Sequence, residues 1–138
     1  MAEKLNQDQR SEIMRKVRGK DTKPELVVRR LLHRLGYRFR LHVRELSGRP
    51  DVVLPKYRTV VFVHGCFWHG HTCPKGRLRP VTNAEFWARK IDGNIKRDAK
   101  HRVDLQDSGW QVLTVWECEL KNAELLDEYF SRIKANRA

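Results

Sequence analysis

Apolar residues recur along this chain with two periods, and the places where the period changes mark its elements. Residues 1–20 are polar and basic, with Leu5, Ile13, Met14 and Val17 thinly spread among them, and read as an arm with at most a short helix after Ser11. Val28, Leu31, Leu32 and Leu35 then follow at helical spacing. Thr22-Lys23-Pro24-Glu25 ahead of them has the form of a capping box, Thr22 as N-cap and Glu25 at N3. Pro24 suits a first turn, where its missing N–H has no intrahelical partner to lose, and Gly36 supplies the stop. Tyr37, Phe39, Leu41 and Val43 alternate with polar residues and predict a half-buried strand. After a turn at Ser47-Gly48-Arg49-Pro50, Asp51–Leu54 reads as a short strand. Pro55–Arg58 turns the chain back, and Thr59–Val63 is an almost continuous β-branched run suited to a central strand. Thr82-Asn83-Ala84-Glu85 offers a second capping box before a helical region from about Asn83 to Gln106, loosened at Gly93. Ser108-Gly109 ends it; Trp110–Trp116 is a fourth strand, and Leu125, Leu126, Tyr129, Phe130 and Ile133 give a last helix one apolar face. The order α-β-β-β-α-β-α, without repeats or low-complexity linkers, implies a layered α/β sandwich around a mixed sheet.

Length and charge narrow the partner. The 138 residues fit one domain of modest core, here residues 21–138 behind the arm of residues 1–20. Lys and Arg number 29 against 17 Asp and Glu, a formal charge of +12. That excess points to a polyanion, although a basic solubilising surface would give the same sum. No strongly amphipathic basic helix favours a membrane surface, and no apolar stretch approaches the roughly 20 residues of a membrane-spanning helix. The polar N-terminus is no signal peptide. Three cysteines, an odd count, fit reduced thiols or metal ligation better than disulfides, so a reducing cytoplasm is the expected compartment.

Chemistry concentrates in the run Phe62–Cys73, which holds His64, His69, His71, Cys66, Cys73, Phe67 and Trp68. Cys66, His71, Cys73 and the distant Cys118 make a complete set of four tetrahedral ligands for structural zinc. Cys118 follows the fourth strand, so the set closes if the third and fourth strands are parallel neighbours with their C-terminal ends together. The spacing is not that of a standard finger, and the alternative is three small buried cysteines. Phe67 and Trp68 are not zinc ligands; in so basic a chain they suit stacking on bases, with a small satellite core beneath the loop as the alternative.

Arg49-Pro50-Asp51 opens a strand in the manner of the Pro-Asp of PD-(D/E)xK nucleases, but Phe62-Val63-His64 stands where their second acid and lysine would lie. The rest of the pattern is more specific. Arg49-Pro50-Asp51, His64-Gly65-Cys66-Phe67-Trp68-His69, His71-x-Cys73, Glu85-Phe86-Trp87, Asn94-x-x-Arg97-Asp98 and Gly109-Trp110…Trp116-Glu117-Cys118 together resemble the very-short-patch-repair (Vsr) DNA mismatch endonucleases, over residues from about 10 to 120. The resemblance implies a restriction-endonuclease-like (PD-(D/E)xK-type) three-layer α/β core with a structural zinc. It implies a nick on the 5′ side of thymine at T·G mismatches left by deamination of 5-methylcytosine. Asp51 and the Val63 backbone carbonyl would bind magnesium, and His69 would be the general base. His64, Glu25 and Asp98 match accessory active-site positions. Each has a plainer reading: a strand-end histidine, the closing acid of a capping box, a partner of Arg97 or Arg102 on a solvated helix.

By the same resemblance Phe67, Trp68 and Trp87 form a wedge entering from the major groove, with Met14 entering from the minor groove. Plainer readings are helix packing for Trp87 and no role for Met14. Arg15, Lys16, Arg18 and Lys20 in the arm fit phosphate contacts. The implied partner is double-stranded DNA with a T·G mismatch, followed downstream by mismatch-repair proteins and a DNA polymerase. The protein would be a monomer in a bacterial cytoplasm, acting on nucleoid DNA. Two rivals are a restriction-type endonuclease of the same fold cutting matched sites, and a non-enzymatic zinc module that binds nucleic acid.

Overall fold

The computed structural model describes residues 22–135. Helix α1 spans Lys23–Arg34, strand β1 Val52–Leu54, β2 Thr59–His64, helix α2 Ala84–Asp107, strand β3 Gln111–Trp116 and helix α3 Ala123–Ala135. The three strands form one mixed sheet in the order β1-β2-β3. β1 runs antiparallel to β2 and β2 parallel to β3, with Val63 beside Val115 and His64 beside Trp116. The parallel neighbours required by the Cys118 argument are therefore present. The arm, with Met14, Arg15, Lys16, Arg18 and Lys20, lies outside the described residues, as does the short helix expected after Ser11.

Side-chain alternation sorts the sheet into two faces, as a period of two demands. Val52, Leu54, Val61, Leu113 and Val115 meet Val28 and Leu32 of α1 and Leu126, Phe130 and Ile133 of α3. Val53, Val60 and Phe62 face the other way, onto Leu105 of α2, with Trp110 and Val112 against them. The sheet lies between α1 and α3 on one side and α2 on the other, a three-layer arrangement. β2 is buried almost throughout, consistent with its uninterrupted apolar sequence and central place.

The expected first strand is not one. Between Tyr37 and Val43 the backbone makes a single antiparallel bridge, Arg40 to Val53. His42 then takes a left-handed turn (φ 57°), which carries the backbone out of reach of a ladder. The alternation still places side chains as far as Leu41: Tyr37, Phe39 and Leu41 pack on the α1/α3 side, and the turn at His42 sends Val43 to the α2 side. The observed order is thus α-β-β-α-β-α.

Neither capping box forms. Thr22 is the N-cap residue of α1, but its hydroxyl donates to Glu25 Oε2 at 2.8 Å. Glu25 Oε1 accepts from Arg29 at 3.2 Å, so the carboxylate is held by side chains. Asn83 precedes α2 in a left-handed conformation (φ 58°) and makes no side-chain cap. Gly93 leaves α2 unbroken: a Cβ there would meet nothing within 4 Å, so it loses only intrinsic propensity, about 1 kcal/mol.

Candidate active site and metal cluster

The site is built at the C-terminal ends of the two parallel strands. His64 and Trp116 close β2 and β3 side by side, and Cys66 and Cys118 each follow two residues later. The Cys118 N–H reaches Cys66 Sγ at 3.4 Å. The loop after β2 folds back on itself through His69 N–H to the Gly65 carbonyl and His71 N–H to the Cys66 carbonyl. Two glycines permit this. Gly70 has φ 62° and lies against Ile91 and Ile95 of α2, and a Cβ on Gly76 would fall 2.1 Å from the His71 carbonyl oxygen. Asn94 Nδ2 donates to the Trp68 carbonyl at 2.8 Å and fastens the loop to α2.

Among the described residues, two groups of side chains bring metal-type donor atoms within 4.8 Å of one another. The first is Cys66, His71, Cys73 and Cys118, the four expected ligands, all three thiols being free of disulfides. His71 Nδ1 lies 3.5 Å from Cys118 Sγ, and the Gly76 N–H donates to Cys73 Sγ at 3.4 Å. Burial pushes the Cys66 thiol up to about 12. For Cys73 burial also acts upward, but the Gly76 N–H and His71 outweigh it and hold this thiol near neutrality. Three thiols and an imidazole converging on one point is a donor set that fits a tetrahedral soft metal. Lys75 and Glu117 tie the flanks together across solvent at 3.2 Å, which contributes little stability.

The second group is His64, His69 and Asp98. The imidazoles of His64 and His69 stack, centroids 3.8 Å apart at 5°. His69 Nδ1 lies 2.6 Å from Asp98 Oδ2. With the carboxylate as acceptor, Nδ1 carries the hydrogen and Nε2 is left with its lone pair. Burial pulls the Asp98 carboxyl upward, but the His69 bond outweighs it and sets its pKa below the ordinary value. Asp98 is thus engaged with His69 rather than with Arg97 or Arg102. His64 is drawn down to about 4, by burial first and then by His69, so it is neutral at pH 7. Its Nδ1 is buried without a hydrogen-bond partner.

Asp51 lies within electrostatic reach of His69. It precedes β1, and its Oδ2 accepts the Val63 N–H of β2 at 2.6 Å. Burial raises its pKa to about 7; the Val63 N–H acts against this, the nearby Glu25 adds to it, and His69 and Arg29 oppose it. Glu25, Arg29, Asp51 and His69 therefore share one electrostatic neighbourhood, with the carboxylate beside the main chain of Val63. The sequence pattern alone does not single out Arg29 and gives Asn94 no role. Asn94 lies four residues before Asp98, which on a helix puts both on one face; that spacing was the available signal.

The aromatic residues pack on one another. Phe67 meets Trp68 edge-on at 5.2 Å, and Trp87 stands 5.7 Å from Phe67 and 5.4 Å from Trp68. Trp68 is 9% exposed and Trp87 5%, so in the DNA-free chain these rings form a small core between the loop and α2 instead of projecting. The Trp87 indole N–H is buried without a partner.

A family model described as DNA mismatch endonuclease Vsr matches residues 2–75. The type II nicking enzyme V.NmeAIP of Neisseria meningitidis is 45% identical over 96% of this chain and 94% of its own length. V.XorIIP of Xanthomonas oryzae, also a type II nicking enzyme, is 47% identical over 92% and 93%. The DNA mismatch endonuclease Vsr of Escherichia coli is 43% identical over 93% of this chain and 81% of its own. A family match over more than half the chain and relatives of this identity over nearly its whole length agree: the chain belongs to the Vsr family of DNA endonucleases.

Proposed function

We propose that this protein nicks one strand of double-stranded DNA on the 5′ side of thymine at T·G mismatches, initiating very short patch repair. The observation that carries the chemistry is the His69–Asp98 bond set beside the half-buried Asp51 carboxylate. The relatives supply the reaction class: one is named a mismatch endonuclease and two are named nicking enzymes, which favours a single-strand cut. Among the described residues no helix is long and apolar enough to cross a membrane.

Asp51 and the Val63 backbone carbonyl would hold a magnesium ion, which when bound supplies charge stabilisation at the scissile phosphate. Cys66, His71, Cys73 and Cys118 would hold a structural zinc that fastens the loop. His69 takes a proton from the attacking water at Nε2, while Asp98 fixes the ring through Nδ1 and stabilises the imidazolium as it forms. Neutral His64 supports the ring from behind, and Glu25 lies within electrostatic reach of Asp51. The Phe67, Trp68 and Trp87 cluster would open against the mismatch, where unstacking a base step costs less than in paired DNA. The basic arm with Met14, Arg15, Lys16, Arg18 and Lys20 would grip the duplex from the minor-groove side.

The test is a labelled duplex bearing one T·G mismatch beside its matched T·A control, with and without magnesium. A single nick 5′ of the mismatched thymine, requiring the ion, is the expected result. Equal cutting of the matched duplex would favour a restriction-type enzyme, and binding without cutting a non-enzymatic module.

A further inference from the structure

His64 is held in an unusual way. It is 8% exposed, and its Nδ1 has no hydrogen-bond partner, so no bond at that nitrogen fixes the ring. Its orientation comes from the rings around it: Phe62 at 5.6 Å, His69 stacked at 3.8 Å, and Trp116 edge-on at 5.1 Å and 74°. Trp116 also stands 6.3 Å from the His69 ring, at 73°. On the ring's other neighbour it stacks against His71 of the Cys/His cluster, at 4.2 Å and 16°. One indole therefore joins the two side-chain clusters that the parallel strand ends carry.

The indole has a firm footing. The Trp116 backbone N–H donates to Glu119 Oε1 at 2.9 Å, and Glu119 Oε2 accepts from the Tyr129 hydroxyl of α3 at 2.9 Å. The turn after β3 is thus pinned to a helix whose Phe130 and Ile133 are buried in the main core. Packed rings that meet edge to face resist rotation because neighbouring atoms fill the space a turning ring would need. Asp98 restrains His69 at one nitrogen only; the plane of that ring is set by the His64 face, and the plane of His64 by Trp116.

We propose that Trp116 is a positioning residue for the reaction: it backs His64, against which His69 rests, and ties this imidazole pair to the Cys/His cluster. The proposal rests on the reading of His69 as the proton acceptor. Without the indole, His64 rocks, and His69 loses the alignment of Nε2 while keeping its bond to Asp98.

Trp116→Leu and Trp116→Phe in the full chain test this, Leu keeping apolar bulk and Phe keeping a ring. With a T·G duplex, Trp116→Leu should lower kcat about tenfold or more, since small misplacements of a reacting group are costly, with KM changed by no more than about twofold. Trp116→Phe should restore most of the rate. Bound metal per chain and the thermal midpoint are measured alongside. Independently of any nicking, the ring C–H resonances of His64 and His69 in the DNA-free protein should move in the Leu variant and stay near their places in the Phe variant. Wild-type kcat in Trp116→Leu, a loss that only tracks lost metal, or unmoved His69 resonances would each overturn the proposal. If the wild-type protein fails to nick the duplex, the functional reading falls, and the cross-relaxation between the His64 and His69 ring protons, which reports their stacking and not the indole's ring current, decides whether Trp116 positions the pair: weakened in the Leu variant if it does, unchanged if it does not.

Discussion

Asp51→Asn should make the protein inactive and, above neutral pH, more stable. The carboxyl titrates at 3.8 in an unfolded chain and at about 7 in the folded one, chiefly because burial penalises its charge. Below about pH 4 both states are protonated and the side chain adds no pH dependence. Between the two values the folded state binds the proton that the unfolded state has released, so stability falls as pH rises. Above pH 7 the whole penalty is in force. At about 1.4 kcal/mol per pH unit it amounts to roughly 4 kcal/mol, and residual contact with water reduces this to about 2–4 kcal/mol. Asparagine never ionises, and its amide oxygen can still accept the Val63 N–H. Urea unfolding of both proteins in magnesium-free buffer, at pH 4, 6 and 8, measures the difference. The two curves should coincide near pH 4, and the variant should lead by about 2–4 kcal/mol at pH 8. Magnesium at pH 8 should then raise the wild-type unfolding free energy by mass action, about 2.7 kcal/mol at a hundredfold excess over the dissociation constant, and leave the variant unmoved. A variant no more stable than wild type at pH 8, or one whose advantage is the same at pH 4, would refute the account of Asp51 as a desolvated carboxylate awaiting a cation.

Four further outcomes are expected. Asp98→Asn should slow nicking roughly a hundredfold with little change in DNA binding, measured by single-turnover kinetics and gel shift, because the ring keeps a neighbour but loses the charge that stabilises its protonated form. His64 is held down to about 4, so the unfolded chain gains a proton near 6.5 that the folded one refuses; this residue's contribution to stability falls as pH drops across that window, opposite in sign to that of Asp51, and in the Asp51→Asn background His64→Leu should flatten the fall in an unfolding series. Cys118→Ser should leave less than one tightly bound metal per chain after dialysis, read by elemental analysis, and lower the melting temperature. Gly76→Ala sets a methyl against the His71 backbone carbonyl, which no rotamer relieves, and should destabilise by about 1–3 kcal/mol in thermal unfolding, with metal lost as well.

Periodicity carried most of the fold because burial depends on it directly. The helical spacing at Val28 and Leu32 and the alternation in β1, β2 and β3 all emerge as core faces. Alternation from Tyr37 to Val43 predicts a strand, yet it governs only which way the side chains point, and only as far as Leu41. Whether the backbone finds a partner depends on where β1 lies and on the left turn at His42, neither of which a local pattern encodes. The first capping box failed for a related reason. Glu25 had a competing use through Thr22 and Arg29 close to Asp51, and a carboxylate drawn into a site is unavailable to cap a helix.

The members of the Cys/His cluster were legible because three cysteines had few other uses, and the cluster's donor atoms do converge. What composition and spacing alone could not give were the contacts that cross the chain, such as His69 to Asp98 and Asp51 to Val63. Parallel pairing of β2 and β3 supplies the missing logic. His64-Gly65-Cys66 and Trp116-Glu117-Cys118 have the same offset from two paired strand ends, so β2 delivers one imidazole of the pair, β3 the indole that packs against it, and each one thiol to the metal-type cluster. Two centres hung from the same two strand ends are not mechanically independent. A change that splays those ends should disturb the orientation of His69 before it unfolds the sheet, since β2 and β3 remain paired from Thr59 and Gln111 onward. The catalytic geometry is therefore expected to be the least stable feature of the fold and the Cys/His cluster the clasp that keeps it in place.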